Sequence, residues 1–271
     1  MSLSILSNIP SLQAQNQLAT TNAGLQKTLF RLSSGSRINS GADDAAGLAI
    51  ADGLQANISA LNQSARNAND GVGQLQVADG ALNQVTALLN RAVTLSTEAA
   101  TGTVGTSQRT ALNAEFTSIK AEIDRIGSNT TFNGTSVFSA STTSVFLSDA
   151  GSSSQIGTST GTLSSTSLGV NSDVLTSDTA AATALTNINS AIASVASLRG
   201  TLGANINRLQ SATTVITNQV QNLSAAQDGI RGANIAEEVA NLSKFQILNS
   251  TGISALAQAN QSQQSVLRLL Q

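Results

Sequence analysis

Apolar residues along this chain return at alternating steps of three and four, the spacing that holds them on one face of a helix. The longest run reads Leu185, Ile188, Ile192, Val195, Arg199, Leu202, Ile206, Leu209, Thr213, Ile216, Val220, Leu223, Gln227, Ile230. Eleven of these fourteen positions are aliphatic, a sustained seam that specifies a coiled-coil helix. At about 1.5 Å per residue it is roughly 70 Å long. Upstream, Leu75, Ala78, Leu82, Val85, Leu89 and Ala92 keep the same step until Gly102 and Gly105 break it. A third helix carries Leu112, Phe116, Ile119, Ile123 and Ile126 on one stripe and ends at Gly127. Ser40-Gly-Ala-Asp43 resembles a capping box before the apolar run Ala45–Ile50, which starts a helix near Ser40.

Both ends repeat the pattern more weakly. Ile5, Ile9 and Leu12 form one short stripe, and Leu25, Leu29 and Leu32 another. Near the other end Leu242, Phe245, Leu256, Ala259, Val266 and Leu270 hold heptad positions, interrupted by Asn249, Gly252 and Gln263. Helices with so little to pack are marginal in water, so both ends are expected to stay disordered until partners cover them. Between the strong helices, 25 of the 42 residues from Ser139 to Ala180 are Ser, Thr or Gly, with no Lys or Arg. Asn133-Gly134 marks a hairpin there, and Val145–Leu147 with Gln155–Gly157 a second. The plan is palindromic: weak helices outermost, strong helices inside, and small β-hairpins at the midpoint. The fold class is mainly α, a long antiparallel helical rod with its N- and C-terminal helices paired.

Composition removes most chemistry. Among 271 residues there is no Cys, His, Trp or Tyr. Thiolate nucleophiles, imidazole bases and Cys- or His-ligated metals are therefore excluded. Charged residues are only 10% of the chain and the net charge is −2, which provides no electrostatic grip on nucleic acid. No run of 18 apolar residues spans a bilayer. The first residues lack the basic start and apolar core of a cleavable signal. With aromatics at 2%, the chain buries small aliphatics along a seam. Asp43-Asp44 reads as dipole-complementing carboxylates beside a helix start. No enzyme, cofactor or metal site is expected.

Several stretches resemble bacterial flagellin. They are Leu32-Ser-Ser-Gly-Ser-Arg-Ile-Asn-Ser40, Asp43-Asp-Ala-Ala-Gly-Leu-Ala-Ile-Ala51, Asn69-Asp-Gly71, Gly80-Ala-Leu-Asn83, Glu122-Ile-Asp-Arg125 and Thr131-Phe-Asn-Gly134. Near the other end stand Ser243-Lys-Phe-Gln-Ile-Leu248, Ala255-Leu-Ala-Gln-Ala-Asn260 and Val266-Leu-Arg-Leu-Leu270. The resemblance implies a short form. Residues 1–43 and 234–271 would be a terminal coiled-coil domain lining a tube, and 44–233 a surrounding rod that includes the hairpin and Ser/Thr-rich region 130–180. No large outer domain is expected.

By that resemblance the chain is a structural subunit polymerising into the hollow flagellar filament used for swimming. Polymerisation would use Ile5, Ile9, Leu12, Leu25, Leu29, Leu32, Leu242, Phe245, Leu256, Val266 and Leu270, with Gly35 and Gly41 as hinge or spoke. The implied partners are further copies of the chain, an export chaperone on the C-terminal helix, the flagellar type III export apparatus, the filament cap and hook-associated junction proteins. The implied location is extracellular, reached without a cleaved signal peptide. A host innate immune receptor would read a rod surface centred on Arg91, Leu95 and Glu115, although Val93 and Thr94 stand where many relatives carry a charged pair. Two alternatives stay open at this point: a hook–filament junction protein, and a cytoplasmic coiled-coil binding protein.

Overall fold

The structure is a computed structural model that describes residues 8–148 and 155–269, with side chains to 265. In chain order it contains α1 (Ile9–Ser34), α2 (Ala45–Ala99), α3 (Thr106–Asn129), β1 (Thr131–Phe132), β2 (Thr135–Ser136), β3 (Thr143–Phe146), β4 (Gln155–Thr158), α4 (Asp178–Arg231) and α5 (Ile235–Leu269). The chain divides into two compact units, 1–56 with 222–271, and 57–221. Both divisions fall inside a long helix, α2 and α4.

In the 57–221 unit, α2 buries Leu75, Ala78, Leu82, Val85, Leu89 and Ala92, the expected stripe without exception. Helix α4 runs antiparallel to it. Arg199 reaches Asp79 at 2.8 Å and Asn83 at 3.2 Å, while Leu209 lies beside Gly71. The α4 stripe departs from expectation in phase. Ile188, Val195, Leu202, Leu209 and Ile216 are buried, but Ala191 and Asn205 take the alternate inward places. Ile192 and Ile206 are only half-buried. A three–four alternation can be threaded through the same heptad residues in two ways. The way adopted puts a small side chain inward at 191, which lets neighbouring backbones approach.

Helix α3 buries Phe116, Ile119 and Ile123 and pairs with α2 through Arg91 and Glu115. It does not stop at Gly127, which is buried two residues before its end. A Cβ at Gly127 would collide with the Leu163 carbonyl, so this glycine serves close approach of two backbones rather than helix termination. Nor does α2 start near Ser40. Asp44 caps it, accepting from the Gly47 N–H at 2.9 Å, while Ser40 and Asp43 close a turn ahead of it.

Both hairpins form as read. Asn133 and Gly134 each have positive φ (50° and 76°), the geometry of a type I′ turn joining β1 and β2. Strands β3 and β4 pair antiparallel from Thr143↔Thr158 to Phe146↔Gln155. The midpoint also contributes core: Val137, Phe138, Val145, Leu163, Val170 and Leu175 are buried. Side chains of α3 fasten the segment that follows. Asp124 accepts from the Ser165 N–H and hydroxyl, Asn113 from the Leu175 N–H, and Lys120 donates to the carbonyls of Asn171 and Asp173.

Candidate functional site

The 1–56/222–271 unit is built on α1 packed against α5. Each helix has clear local punctuation. Asn8 caps α1 by accepting from the Ser11 N–H at 3.0 Å, Pro10 sits in the first turn, and Gly35 ends the helix in the left-handed conformation (φ 67°). Asn234 caps α5, whose first turn carries Glu237 and Glu238, carboxylates that complement the helix dipole.

The seam between them is polar. Ser11, Thr21 and Thr28 are the buried residues of α1, and Glu238 is the one buried residue among the described side chains of α5. Ser11 donates to Asn260 at 3.1 Å, Asn8 to the Ala259 carbonyl at 3.2 Å, Asn249 to Asn22, and Arg31 to Glu238 at 3.2 Å. Two apolar side chains rest on glycines in it, Leu18 beside Gly252 and Phe245 beside Gly24.

Many of the large apolar side chains lie elsewhere. Ile9 is 55% exposed, Leu12 59%, Phe30 60% and Ile247 66%, with Leu29, Ile235, Val239, Leu248 and Ile253 also exposed. Covering one such side chain fully is worth about 1.5–3 kcal/mol. The pair is thus inverted relative to an ordinary two-helix coil: its hydrogen-bonding groups face inward and much of its apolar surface faces out.

The expected residues divide between these two faces. Ile9, Leu12 and Leu29 are outward. Leu25, Leu32, Leu242, Phe245 and Leu256 are half-buried along the seam. The expectation that Leu29 shares a stripe with Leu25 and Leu32 is corrected, since Thr28 takes the inward place and turns Leu29 outward. Ile5 and Leu270 lie outside the described residues, as does the side chain of Val266. Ile235, Val239, Ile247, Leu248 and Ile253 of α5 were not among the expected residues, and neither was Phe30 of α1. Its signal was available, because it sits about five full turns beyond Leu12 and therefore on the same face.

The two connections between helices run against each other in this unit. Ser36 and Gly232 form an antiparallel bridge, the Arg37 N–H donates to the Arg231 carbonyl at 2.6 Å, and the Ala233 N–H donates to Gly35 at 3.0 Å. Ile38 is buried against Gly47. Asp43 then ties the 35–44 segment to α1 through Lys27 at 2.6 Å and Arg31 at 3.7 Å. The hydrogen bond from Lys27, helped by Ser40 and the Asn39 N–H, holds the Asp43 carboxyl down at about 2. Gly41 has open space around it and an ordinary φ.

The second expected surface lies in the 57–221 unit. Arg91 grips Glu115 with two hydrogen bonds, 2.7 and 3.1 Å, and both side chains are solvent-facing. The pairing holds the Glu115 carboxyl below its ordinary range. Leu95 does not join them. It is 1% exposed and belongs to the packed stripe of α2, four residues round from Arg91, so the solvent-facing pair is Arg91 and Glu115 alone.

Among the described residues no group of three or more Asp or Glu is placed to hold a metal ion, and no helix is long and apolar enough to cross a membrane.

Comparison with known proteins agrees with this architecture. Residues 5–143 match the bacterial flagellin N-terminal helical region and residues 185–270 the bacterial flagellin C-terminal helical region. The chain is 34% identical to a flagellin of Halalkalibacterium halodurans, over 97% of this chain and 98% of that one. It is also 34% identical to a flagellar filament 33 kDa core protein of Treponema phagedenis, with the same coverage, and 36% identical to a flagellin of Xenorhabdus nematophila over 98% of each chain. The crystal structure of Bacillus cereus flagellin aligns with a TM-score of 0.50 at 30% identity, covering 60% of this chain and 94% of that one. Two family regions bracketing a short midpoint, and relatives matched almost end to end, place this chain in the bacterial flagellin family, as a structural subunit of the flagellar filament.

Proposed function

We propose that polymerisation proceeds by covering the outward apolar faces of α1 and α5 with the same faces of neighbouring copies. The observation that carries this reading is the inverted pair: Ile9, Leu12, Phe30, Ile247 and Ile253 exposed around a seam of Ser, Thr, Asn and Glu. An isolated pair with that distribution gains little by ordering itself, so its ordering is coupled to assembly. Repetition of one heterologous contact extends without closing, which makes a filament rather than a ring.

In this reading 1–43 and 234–271 form the inner tube and 44–233 the rod, with the 35–44 segment, Gly35 and Gly41 included, as the spoke between them. The subunit is secreted without a cleaved leader through the flagellar type III export apparatus. A chaperone covers the exposed face of α5 beforehand, the filament cap seats incoming subunits, and hook-associated junction proteins meet the filament base. Host receptor recognition, where it occurs, uses Arg91 and Glu115; unchanged receptor binding by Arg91→Ala would remove it. The chain has no catalytic role.

The test is seeded assembly. Monomer is mixed with sheared filament seeds in an excluded salt that strengthens apolar burial, and products are imaged by electron microscopy. The full chain should give long uniform tubes, and a truncation lacking 1–43 and 234–271 none. The double variant Leu12→Ser/Phe30→Ser removes two outward side chains. It should elongate at least ~10-fold more slowly, while stability of the monomer stays within about 0.5 kcal/mol. Elongation of that variant at the wild-type rate would refute the covering of this face.

A further inference from the structure

A seam of small polar residues fixes neither partner nor register well, because flat surfaces slide past one another. Yet five α1·α5 contacts share one antiparallel register. As the α1 position rises through 11, 18, 22, 24 and 31, its α5 partner falls through 260, 252, 249, 245 and 238. Most of these are hydrogen bonds that water or a neighbouring amide can replace.

Two contacts are of a different kind. Gly24 is the one glycine of α1, and Phe245 is the one aromatic residue of α5. The Phe245 ring sits directly over Gly24, and a Cβ there would come within 2.7 Å of Cε1 and Cζ. The second contact runs the opposite way. Leu18 of α1 lies over Gly252 of α5, the one glycine of that helix, where an added Cβ would meet Leu18 Cδ1 at 3.3 Å. Each helix therefore carries one knob and one hole, and the two pairs cross.

A heptad slip would carry Phe245 from Gly24 to the neighbourhood of Gln17 or Arg31, long side chains with no recess. The same slip would strand Leu18 away from Gly252. Only one register fills both holes.

We infer that Gly24/Phe245 and Leu18/Gly252 form a reciprocal two-point lock that selects the assembly-competent register of α1 on α5. The inference rests on the reading that this pair orders during polymerisation. It assigns Gly24 and Gly252 a specificity role, and separates that role from the outward apolar face that supplies the drive.

The test uses Gly24→Leu in the full chain. Leucine is a far better helix former than glycine, so a defect cannot be laid to helix propensity. Elongation from seeds should fall at least ~10-fold, the scale of overpacking a close contact. Adding Phe245→Ala to Gly24→Leu makes room for the new side chain, and should restore elongation to within about threefold of wild type.

Register is read separately. The chain has no cysteine, so introduced pairs are unambiguous. Asn22→Cys with Asn249→Cys reports the observed register, and Asn22→Cys with Leu256→Cys a slipped one. In filaments the first pair should cross-link in the wild-type background and in the Gly24→Leu/Phe245→Ala background. In a Leu18→Ala/Phe245→Ala background, with both knobs gone, the slipped pair should gain several-fold.

Wild-type elongation by Gly24→Leu, failure of Phe245→Ala to rescue it, or an unchanged cross-link preference without the knobs would each overturn the lock. Failure of the filament reading itself would look different, because then the unsubstituted chain would not extend seeds.

Discussion

Two regions of this molecule use the same three–four spacing and fill it in opposite ways. In the 57–221 unit the inward positions are mostly Leu, Ile, Val, Ala and Phe, with Asn205 and a few Ser and Thr among them, and this unit holds 29 of the 31 buried hydrophobic residues among those described. The other unit holds the remaining two, Ile38 and Ala51. It carries ten of the fourteen exposed large hydrophobics, while Ser11, Thr21, Thr28 and Glu238 are buried. Periodicity alone therefore says that a helix will find a partner. The chemistry of the inward stripe says whether that partner suffices. The first unit can satisfy itself, whereas the second keeps its driving force on the outside for other copies.

The largest expected effect tests the self-sufficient unit. Leu82 is fully buried on α2, and Leu82→Ala should cost about 2–5 kcal/mol of monomer stability in denaturant unfolding. Leu12→Ala, in the other unit, should change monomer stability by less than about 0.5 kcal/mol. If Leu12→Ala destabilises the monomer as much as Leu82→Ala, the contrast between the units is wrong. Gly127→Ala comes next, because the Leu163 carbonyl occupies the space its methyl group needs. It should cost about 1–3 kcal/mol, with the loss reported by the midpoint segment rather than by α1.

Most of the architecture was legible in residue spacing. Five helices, two hairpins and the inner stripe of α2 follow from local pattern, because each is set by residues within a few turns of one another. What escaped was tertiary. Gly127 reads as a helix end until the Leu163 backbone is seen pressing on it. Ser40 reads as a cap, but Asp44 stands at the position whose carboxylate reaches the Gly47 N–H. Ile192 and Ile206 fit the seam as well as Ala191 and Asn205 do, and only the approach of a neighbouring helix decides between them. At the terminal helices only part of the apolar surface was identified, since Phe30 of α1 and Ile235, Val239, Ile247, Leu248 and Ile253 of α5 fall outside the expected stripes, and direction was not read. Thr28 and Leu29 are adjacent, and which of them turns inward depends on α5.

A smaller effect probes the connection within the 1–56/222–271 unit. Asp43 sits among Lys27, Arg31, Ser40 and the Asn39 N–H, with Glu238 of α5 on the far side of Arg31. Its carboxyl is held at about 2, below the ordinary 3.8, so the folded state prefers it ionised. The sign follows. The stabilisation is complete well above pH 3.8 and disappears as pH falls from there through about 2. Asp43→Asn should therefore weaken this unit at pH 7 and lose its difference from wild type near pH 2, measured by denaturant unfolding at each pH. A gap that widens in acid would contradict the assigned role of Lys27.

The smallest effect belongs to Arg91 and Glu115, a two-bond ion pair that is among the most exposed. Two hydrogen bonds at 2.7 and 3.1 Å look strong, but water competes for both side chains and salt screens them. The pair lies on the self-sufficient unit, where buried α2 and α3 residues already hold the helices together. A double-mutant cycle on Arg91→Ala and Glu115→Ala should give a small favourable coupling in unfolding at low salt. That coupling should vanish at about 1 M salt, where the Debye length shrinks to about 3 Å. Glu115 titrates below its ordinary 4.5 because Arg91 donates to it, so the coupling should also fade as pH drops below that value. A large, salt-insensitive coupling would mean that this surface pair braces α3 on α2, and the stability of the unit would then no longer rest on its apolar stripe alone.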